Sequence, residues 1–448
     1  MLTKKFNLVV KNRLPSFNKI IKVDSDKSLS IRSFLIGSIS NNISSAKNVL
    51  ESEDVLSTIN CLKKLGVKIK KQKKGSYIIY GNGLGSFRLK KNDKLNFGNS
   101  GTLARLLTSI CATNPGIEAK IGGDQSLNKR SMKKLIELMS RFGATFLPKG
   151  KYRFPLKIIS SEMPVGINYE AGVSAQLKSA VIFAGLNSFG NTCIREKFSS
   201  RDHTENLLIN STKAFKIKKG KEKLITIFGK RSLKPLKLEV GGDPSSAAFF
   251  TALTLLNKDS SIKIKNVGLN PTRIGFFKIL MKQKAKIKFS NLKKDNNEIK
   301  GDISVKSSKL RSLKVPASMY PQTTDEYLLL FLIAALSNGV STFNGISDLS
   351  NKESSRAHEM KKILGQIGVK CHLTKNKMTI FGKGMINAKN KKILIKNLGD
   401  HRIAMCGFIL ALITDANVFI KNFETVFTSS PSFLKIMKFL GAKFEIKK

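Results

Sequence analysis

Apolar and polar positions along the chain follow two periods, and blocks of each kind return in a fixed order. A helix-spaced stretch ends in a small residue and gives way to an extended basic-apolar run: LGVKI at Gly66, FGATF at Gly143, AFKI at Ala214, KAKI at Lys284, IGVKC at Gly368 and LGAKF at Gly441. These runs are spaced by 70 to 84 residues, the signature of an internal repeat. A second series, in which a polar residue opens an apolar helix, falls at Ser28, Ser100, Ser174, Ser245, Asp325 and Asp400. Both series count six units.

The polar openers predict helix N-caps. Helical spacing follows them, as in Leu35, Ile36 and Ile39, or Val181, Ile182 and Leu186,. In the fourth unit Asp243 and Pro244 predict an N-cap with a first-turn proline,. Short β-rich runs with turn residues lie between the helices, for example Tyr77 to Tyr80 before Gly81 and Met378 to Phe381 before Gly382,. The fold class is therefore α/β, with helices and strands interleaved in each unit. At 448 residues the chain exceeds what one core organises, and a boundary near Leu238 to Gly241 would give two domains of three units. Helix N-termini carry unpaired N–H groups and about half a positive charge, so six of them aimed at one cleft would hold an anion.

Composition changes this picture little. The formal charge of +50, from 80 Lys+Arg against 30 Asp+Glu, would suit nucleic acid,. The lysines, however, are spread along the whole chain, and no Trp and only six Tyr are available for base stacking. No specific nucleic-acid partner is expected. Five widely spaced cysteines without a CxxC pair argue against a disulfide framework or a zinc site,. The start MLTKKFNLVV is too short in apolar residues for a secretory signal, and runs such as Leu328 to Leu336 fall short of the roughly 18 residues of a membrane span,. A soluble cytoplasmic protein with no membrane association is expected.

Candidate chemistry lies at the helix openings. DKSLSIR places Lys27 and Ser28 at a helix start with Arg32 one turn on, two cations and a hydroxyl around one anion,. A capped helix with solvated basic residues would read the same way. GNSGTLAR supplies Gly101, where a ligand can approach the backbone, and Arg105,. GGDQSLNKRSM presents Lys129 and Arg130, the latter a fork for carboxylate or phosphate,. GVSAQLKSA and SSRDHTE add Ser174, Gln176, Lys178, Arg201 and His203. In the second half Asp325 and Glu326 open a strongly apolar helix, Lys352, Glu353 and Arg356 come from NKESSR, and Asp400, His401 and Arg402 from GDHRIAM. Cations to hold phosphate and carboxylate, among carboxylates that exchange protons, suit acid/base chemistry on a polyanionic substrate. GNGLGS at Gly81 lacks the context of a dinucleotide fingerprint, and GxxxxGKS, HExxH and GxSxG motifs are absent,. Chemistry without metal or cofactor is expected.

DKSLSIR, GNSGTLAR, GDQSLNKRSM, SAQLKSAVIFAGL, SRDHTE, GGDPSSAAF, DEY, KESSR and DHRIAM occur in the order found in the 5-enolpyruvylshikimate 3-phosphate synthase family, which the chain resembles from about Lys22 to Ala442. The resemblance implies a two-domain inside-out α/β barrel of six βαβαββ units that closes over substrates in a cleft. One domain would be discontinuous, residues 1–21 with 239–448, and the other would span 22–238. It also implies transfer of the enolpyruvyl group of phosphoenolpyruvate to the 5-hydroxyl of shikimate 3-phosphate, through a tetrahedral intermediate, by a monomer. By the same resemblance Lys27, Ser28, Arg32, Ser174, Ala175, Gln176, Arg201, Asp325 and Lys352 would bind shikimate 3-phosphate. Lys27, Gly101, Arg130, Gln176, Arg356 and Arg402 would bind phosphoenolpyruvate. Asp325, Glu353 and Lys27 would be catalytic.

Two departures stand out: Ser355 replaces the Asp usual in the KESSR motif, and Ser131 the Pro usual after Arg130. The related transferase acting on UDP-N-acetylglucosamine carries a reactive Cys in the loop that here reads GGDQSLNKRSM, which has none. A non-catalytic basic binding protein on the same scaffold is the other alternative.

Overall fold

The computed structural model describes residues 5–90 and 93–447, apart from the side chain of Asn351. Its strands form six four-stranded sheets. The third repeat shows the plan. The strand Asn168–Ala171 leads into the helix Ala175–Leu186 and the strand Asn191–Glu196. These two strands are parallel, a pairing that requires a helical crossover. The helix His203–Leu208 and the antiparallel hairpin of Phe215–Lys219 and Lys223–Phe228 complete the sheet. The second and fifth repeats have the same order.

The other three repeats borrow a strand from elsewhere in the chain. Lys237–Glu239 lies parallel to Asn41–Lys47 and so leads the first repeat from behind. Asn18–Ile21 lies parallel to Ser261–Gly268 and leads the fourth. Asn7–Val10 fills the last hairpin position of the sixth, between Asn417–Lys421 and Phe444–Lys447. All six basic-apolar runs of the sequence become sheet-edge strands: Lys68–Lys73, Thr145–Leu147, Phe215–Lys219, Ile287–Asp295, Lys370–Leu373 and Phe444–Lys447. Lysines on such edges oppose pairing with another chain, which gives part of the large positive charge a structural role.

Two kinds of helix alternate. Glu53–Lys64, Lys133–Arg141 and Arg356–Gln366 bury one face only. The helices that open the repeats are buried over most of their length, and all residues of Pro244–Leu256, Tyr327–Ala335 and His401–Thr414 are buried. A helix hydrophobic all round belongs inside a core, and each fully buried Leu or Phe contributes about 1.5–3 kcal/mol. Close packing also explains Gly81, Gly229 and Gly382. A Cβ at these positions would lie 2.1, 1.8 and 2.0 Å from the carbonyl oxygens of Ser40, Ser188 and Ser337, at the ends of three such helices. GNGLGS is thus a packing motif.

The chain divides into two compact units. One comprises Met1–Asp24, Gly242–Lys293 and Ile299–Lys448, the other Ser25–Gly241 and Lys294–Glu298. These limits compare with 21/22 and 238/239 from the sequence. The openers Ser100, Ser174 and Asp400 cap their helices, accepting from the backbone N–H of Leu103, Leu177 and Arg402. Asp243 does the same for Ser245 N, with Pro244 following. Two openers differ. Asp26 caps Lys27–Ile39 in place of Ser28, because it stands just before the helix in extended conformation and its carboxylate reaches Leu29 N at 2.8 Å, whereas Ser28 already lies in the first turn. Asp325 lies before the helix Tyr327–Ala335, whose first turn has no side-chain cap, since Asp325 is engaged by arginines.

Candidate active site

In the unit built around residues 25–241, side chains from three helix openings meet partners of opposite character. Lys27, in the first turn of Lys27–Ile39, places its ammonium 2.9 Å from Asp54 Oδ2. Arg32, one turn on, is buried. Its Nε donates to Thr204 Oγ1 at 2.8 Å, Nη1 to Ser28 O at 3.1 Å and Nη2 to Ser179 Oγ at 3.2 Å. Burial lowers its pKa to about 10, opposed by Asp26, Glu205 and Glu298 and reinforced by the like charge of Arg201. Arg32 is thus a buried cation on a frame of hydroxyls, a setting that suits an anion,.

Gly101 heads the helix Gly101–Ala112. A Cβ there would stand 2.9 Å from Arg105 Nη1 and 3.2 Å from Arg130 Nη1, so the missing side chain is what lets two guanidiniums converge. Arg105 Nη1 donates to Gly101 O at 2.9 Å and Gln176 Oε1 at 2.8 Å, while Gln176 Nε2 donates to Thr102 Oγ1 at 3.0 Å. Arg130, at the end of the short helix Gln125–Lys129, donates to Asn99 Oδ1. Ser174 caps the helix Ala175–Leu186, which carries Gln176 and, two residues further, buried Lys178. Lys178 Nζ lies 2.8 Å from both Glu196 and Glu205, and Glu196 also accepts from Ser200 N and Oγ at 2.8 and 2.7 Å. This buried ion cluster thereby holds the loop that carries Arg201.

In the other unit Asp325 is the hub. Arg273 Nη1 lies 3.2 Å from its Oδ2, Arg356 Nη1 3.4 Å from its Oδ1 and Arg402 Nη2 3.5 Å from its Oδ2. Arg356 spreads over three carboxylates, with Nε 2.8 Å from Asp400 Oδ2 and Nη2 2.6 Å from Glu353 Oε2. The surrounding carboxylates Asp400, Glu353 and Asp325 raise the Arg356 pKa against the opposing effect of its own burial. Lys352 pairs with Asp348 at 2.6 Å, and Asp348 also accepts from the Tyr320 hydroxyl at 3.1 Å. Ser355 is exposed, whereas Ser354 donates to Asp400 at 3.0 Å. Arg356 is thus anchored without the Asp that Ser355 replaces. Ser131 is exposed as well and accepts from Lys133 N at 3.4 Å.

The sequence-derived residues therefore fall into two sets. Lys27, Ser28, Arg32, Gly101, Arg130, Ser174, Ala175, Gln176 and Arg201 belong to one unit, and Asp325, Lys352, Glu353, Arg356 and Arg402 to the other. Sequence reasoning missed Arg273, whose setting in NPTRIG looks like an ordinary turn, and Asp54, which is hidden in an amphipathic helix. Among the described residues no group of three or more His, Cys, Asp or Glu could hold a metal ion, and no helix is long and apolar enough to cross a membrane.

Six βαβαββ repeats arranged as two compact units, with arginine-carboxylate clusters at the helix openings, define the enolpyruvyl transferase class of fold. The structure is similar to the enolpyruvyl transferase NikO from Streptomyces tendae, with a TM-score of 0.76 over 99% of both chains, a likeness of fold alone at 13% identity. The chain belongs to the EPSP synthase (3-phosphoshikimate 1-carboxyvinyltransferase) family, whose model it matches over residues 13–437. It is 36% identical to the 3-phosphoshikimate 1-carboxyvinyltransferase of Paramagnetospirillum magneticum, over 94% of each chain. It is also 36% identical to that of Bacillus cytotoxicus, over 94% of this chain and 97% of the relative. The EPSP synthase of Acinetobacter baumannii has a similar structure, with a TM-score of 0.85, 30% identity and coverage of 99% of this chain and all of the other.

Proposed function

We propose that the protein transfers the enolpyruvyl group of phosphoenolpyruvate to the 5-hydroxyl of shikimate 3-phosphate, releasing phosphate, in aromatic amino acid biosynthesis. Family membership supports the activity. The observation that carries the chemistry is the cluster in which Asp325 and Glu353 share Arg356, at 3.4 and 2.6 Å. Two partly exposed carboxylates are thus held beside a cation that suits the phosphate or carboxylate of the substrate.

In this reading Asp325 removes the proton of the 5-hydroxyl, whose oxygen forms a bond to C2 of phosphoenolpyruvate while Glu353, helped by Lys27, protonates C3. The tetrahedral intermediate then returns a C3 proton to Glu353 and expels phosphate, restoring the double bond. Shikimate 3-phosphate is assigned to Lys27, Ser28, Arg32, Ser174, Ala175, Gln176, Arg201, Asp325 and Lys352. Phosphoenolpyruvate is assigned to Lys27, Gly101, Arg130, Gln176, Arg356 and Arg402. The hydroxyl frame around Arg32 and the converging guanidiniums at Gly101 support these assignments. The two units are taken as the two domains of the family, and the protein as a cytoplasmic monomer without a specific nucleic-acid partner. The dispersal of its lysines supports that last point.

The test is phosphate release from phosphoenolpyruvate by the purified protein, with shikimate 3-phosphate and with UDP-N-acetylglucosamine in parallel and no metal added. Release only with shikimate 3-phosphate is expected. Release with neither acceptor would leave a basic binding protein on an enzyme scaffold.

A further inference from the structure

Three arginines reach Asp325, and they are not equivalent. Arg356 and Arg402 are assigned to phosphoenolpyruvate, so substrate competes for their guanidiniums. Arg273 is only 2% exposed. Its Nη2 lies 3.2 Å from Asp243 Oδ1 and its Nη1 3.8 Å from Glu326 Oε1 as well as 3.2 Å from Asp325 Oδ2.

Both supporting carboxylates are fixed in turn. Asp243 Oδ1 also accepts Ser245 N at 2.7 Å, capping the buried helix Pro244–Leu256, and Glu326 accepts from the Ser245 hydroxyl. The backbone before the arginine is pinned too, since Asn270 Oδ1 accepts from Thr272 N and Oγ1 at 2.8 and 2.7 Å and Arg273 N donates to Asn270 O at 2.8 Å. Swinging this guanidinium towards a ligand would leave buried carboxylates without their cation, which is strongly unfavourable.

We propose that Arg273 is a positioning residue for the reaction, the cation that stays with Asp325 through the catalytic cycle, orienting its carboxylate towards the substrate hydroxyl and setting its proton affinity. This rests on the assignment of Asp325 as the base. Within the same unit, the charged groups that face Asp325 directly include Arg273, Arg356 and Arg402. Asp243 and Glu326 act through Arg273, Asp400 and Glu353 through Arg356, and the Tyr320 phenol lies close by. When phosphoenolpyruvate draws on Arg356 and Arg402, Arg273 still faces the carboxylate.

The experiment compares R273Q and R273K with the wild-type chain in the phosphate-release assay, recording kcat and KM for each substrate against pH. An opposite charge within about 4–6 Å holds a carboxyl about 1–3 pH units lower. R273Q should therefore move the acidic limb of the kcat profile, which reports the substrate-bound enzyme, up by about one pH unit or more, with the loss in kcat and not in the KM for phosphoenolpyruvate. R273K keeps the charge and loses the fork, so it should restore the limb while kcat stays low. An unmoved limb in both variants, or a loss carried by KM, overturns the proposal, as does a Lys variant with wild-type kcat. Should R273Q fail to fold in a thermal melt, R273K decides alone on its kcat. A wild-type chain that releases no phosphate with shikimate 3-phosphate refutes the functional reading instead, and this proposal falls with it.

Discussion

Replacing Lys178 by Met tests the buried ion cluster. Lys178, Glu196 and Glu205 have side-chain exposures of 0, 0 and 1%, and both carboxylates sit 2.8 Å from the ammonium. Methionine fills a similar volume and removes the charge, leaving the two carboxylates with Lys223, which is 17% exposed and stands 3.2 Å from Glu205 and 3.7 Å from Glu196. Breaking a buried pair in this way costs about 3–5 kcal/mol. Because Lys223 remains, the lower figure applies, and for a unit of roughly 200 residues about 3 kcal/mol lowers the melting temperature by roughly 6–12 °C.

The deficit should depend on pH. In the wild type burial alone would raise the Glu205 pKa, but Lys178 and Lys223 override it and hold it below the usual carboxylate value. Its contribution is present above that value and lost as pH falls through the depressed one. Burial would lower the Lys178 pKa, but Glu205 and Glu196 raise it, so its contribution is present at neutral pH and is lost only in strong alkali,. In K178M burial is less well opposed and Glu205 takes up a proton more readily. The gap to wild type should therefore narrow as pH falls. Thermal melts by circular dichroism across the acidic and neutral range measure it, and adding E205Q to K178M should recover part of the loss. A gap below about 2 °C at neutral pH, or one that does not change in acid, would refute the reasoning.

Other outcomes follow from the site and the packing. Glu353→Gln should abolish turnover while leaving shikimate 3-phosphate binding, measured calorimetrically, nearly intact, because it removes a proton donor and no cation. Gly101→Ala should fold, with stability changed by under about 1 kcal/mol, since the clash is with flexible guanidinium ends,. Displacing them should raise the KM for phosphoenolpyruvate about tenfold, as steady-state kinetics would show. Thiol titration of the native protein should find one fast-reacting cysteine, Cys193. Cys61, Cys111 and Cys406 are buried, and burial pushes Cys61 up to about 12 and the half-buried Cys371 to about 11,. Rapid reaction of several thiols would show that the cores open.

The repeats were legible because each depends on local signals: an apolar helix, a turn and an extended edge strand, lysine-bearing in all but the second unit, every 70 to 84 residues. Borrowed strands were harder to place. Nothing in NKII shows that its partner is Ser261–Gly268, because a parallel register is set by packing hundreds of residues away,. The cap at Asp26 was missed because DKS offers two competent capping groups, and only the geometry shows which one reaches Leu29 N. At the site, motif residues such as Arg32 and Arg356 were visible, while the partners that decide what each does were not. Thr204, Ser179 and Asp54 are ordinary helix residues until the fold brings them alongside Arg32 and Lys27, and Arg273 looks like turn punctuation until it lies against Asp325.

The strand Asn7–Val10 has both its neighbours at the far end of the chain, in Asn417–Lys421 and Phe444–Lys447, and Asn18–Ile21 must wait for Ser261–Gly268. On the ribosome, residues 25–241 can build nearly the whole of their unit as they emerge,, while the apolar side chains of Leu8 and Val10 have no sheet to join until residues 417–447 have been made. A nascent chain stalled before residue 417 therefore carries an unpaired apolar segment at residues 7–10, which makes this step the natural point for chaperone capture and for aggregation under fast expression.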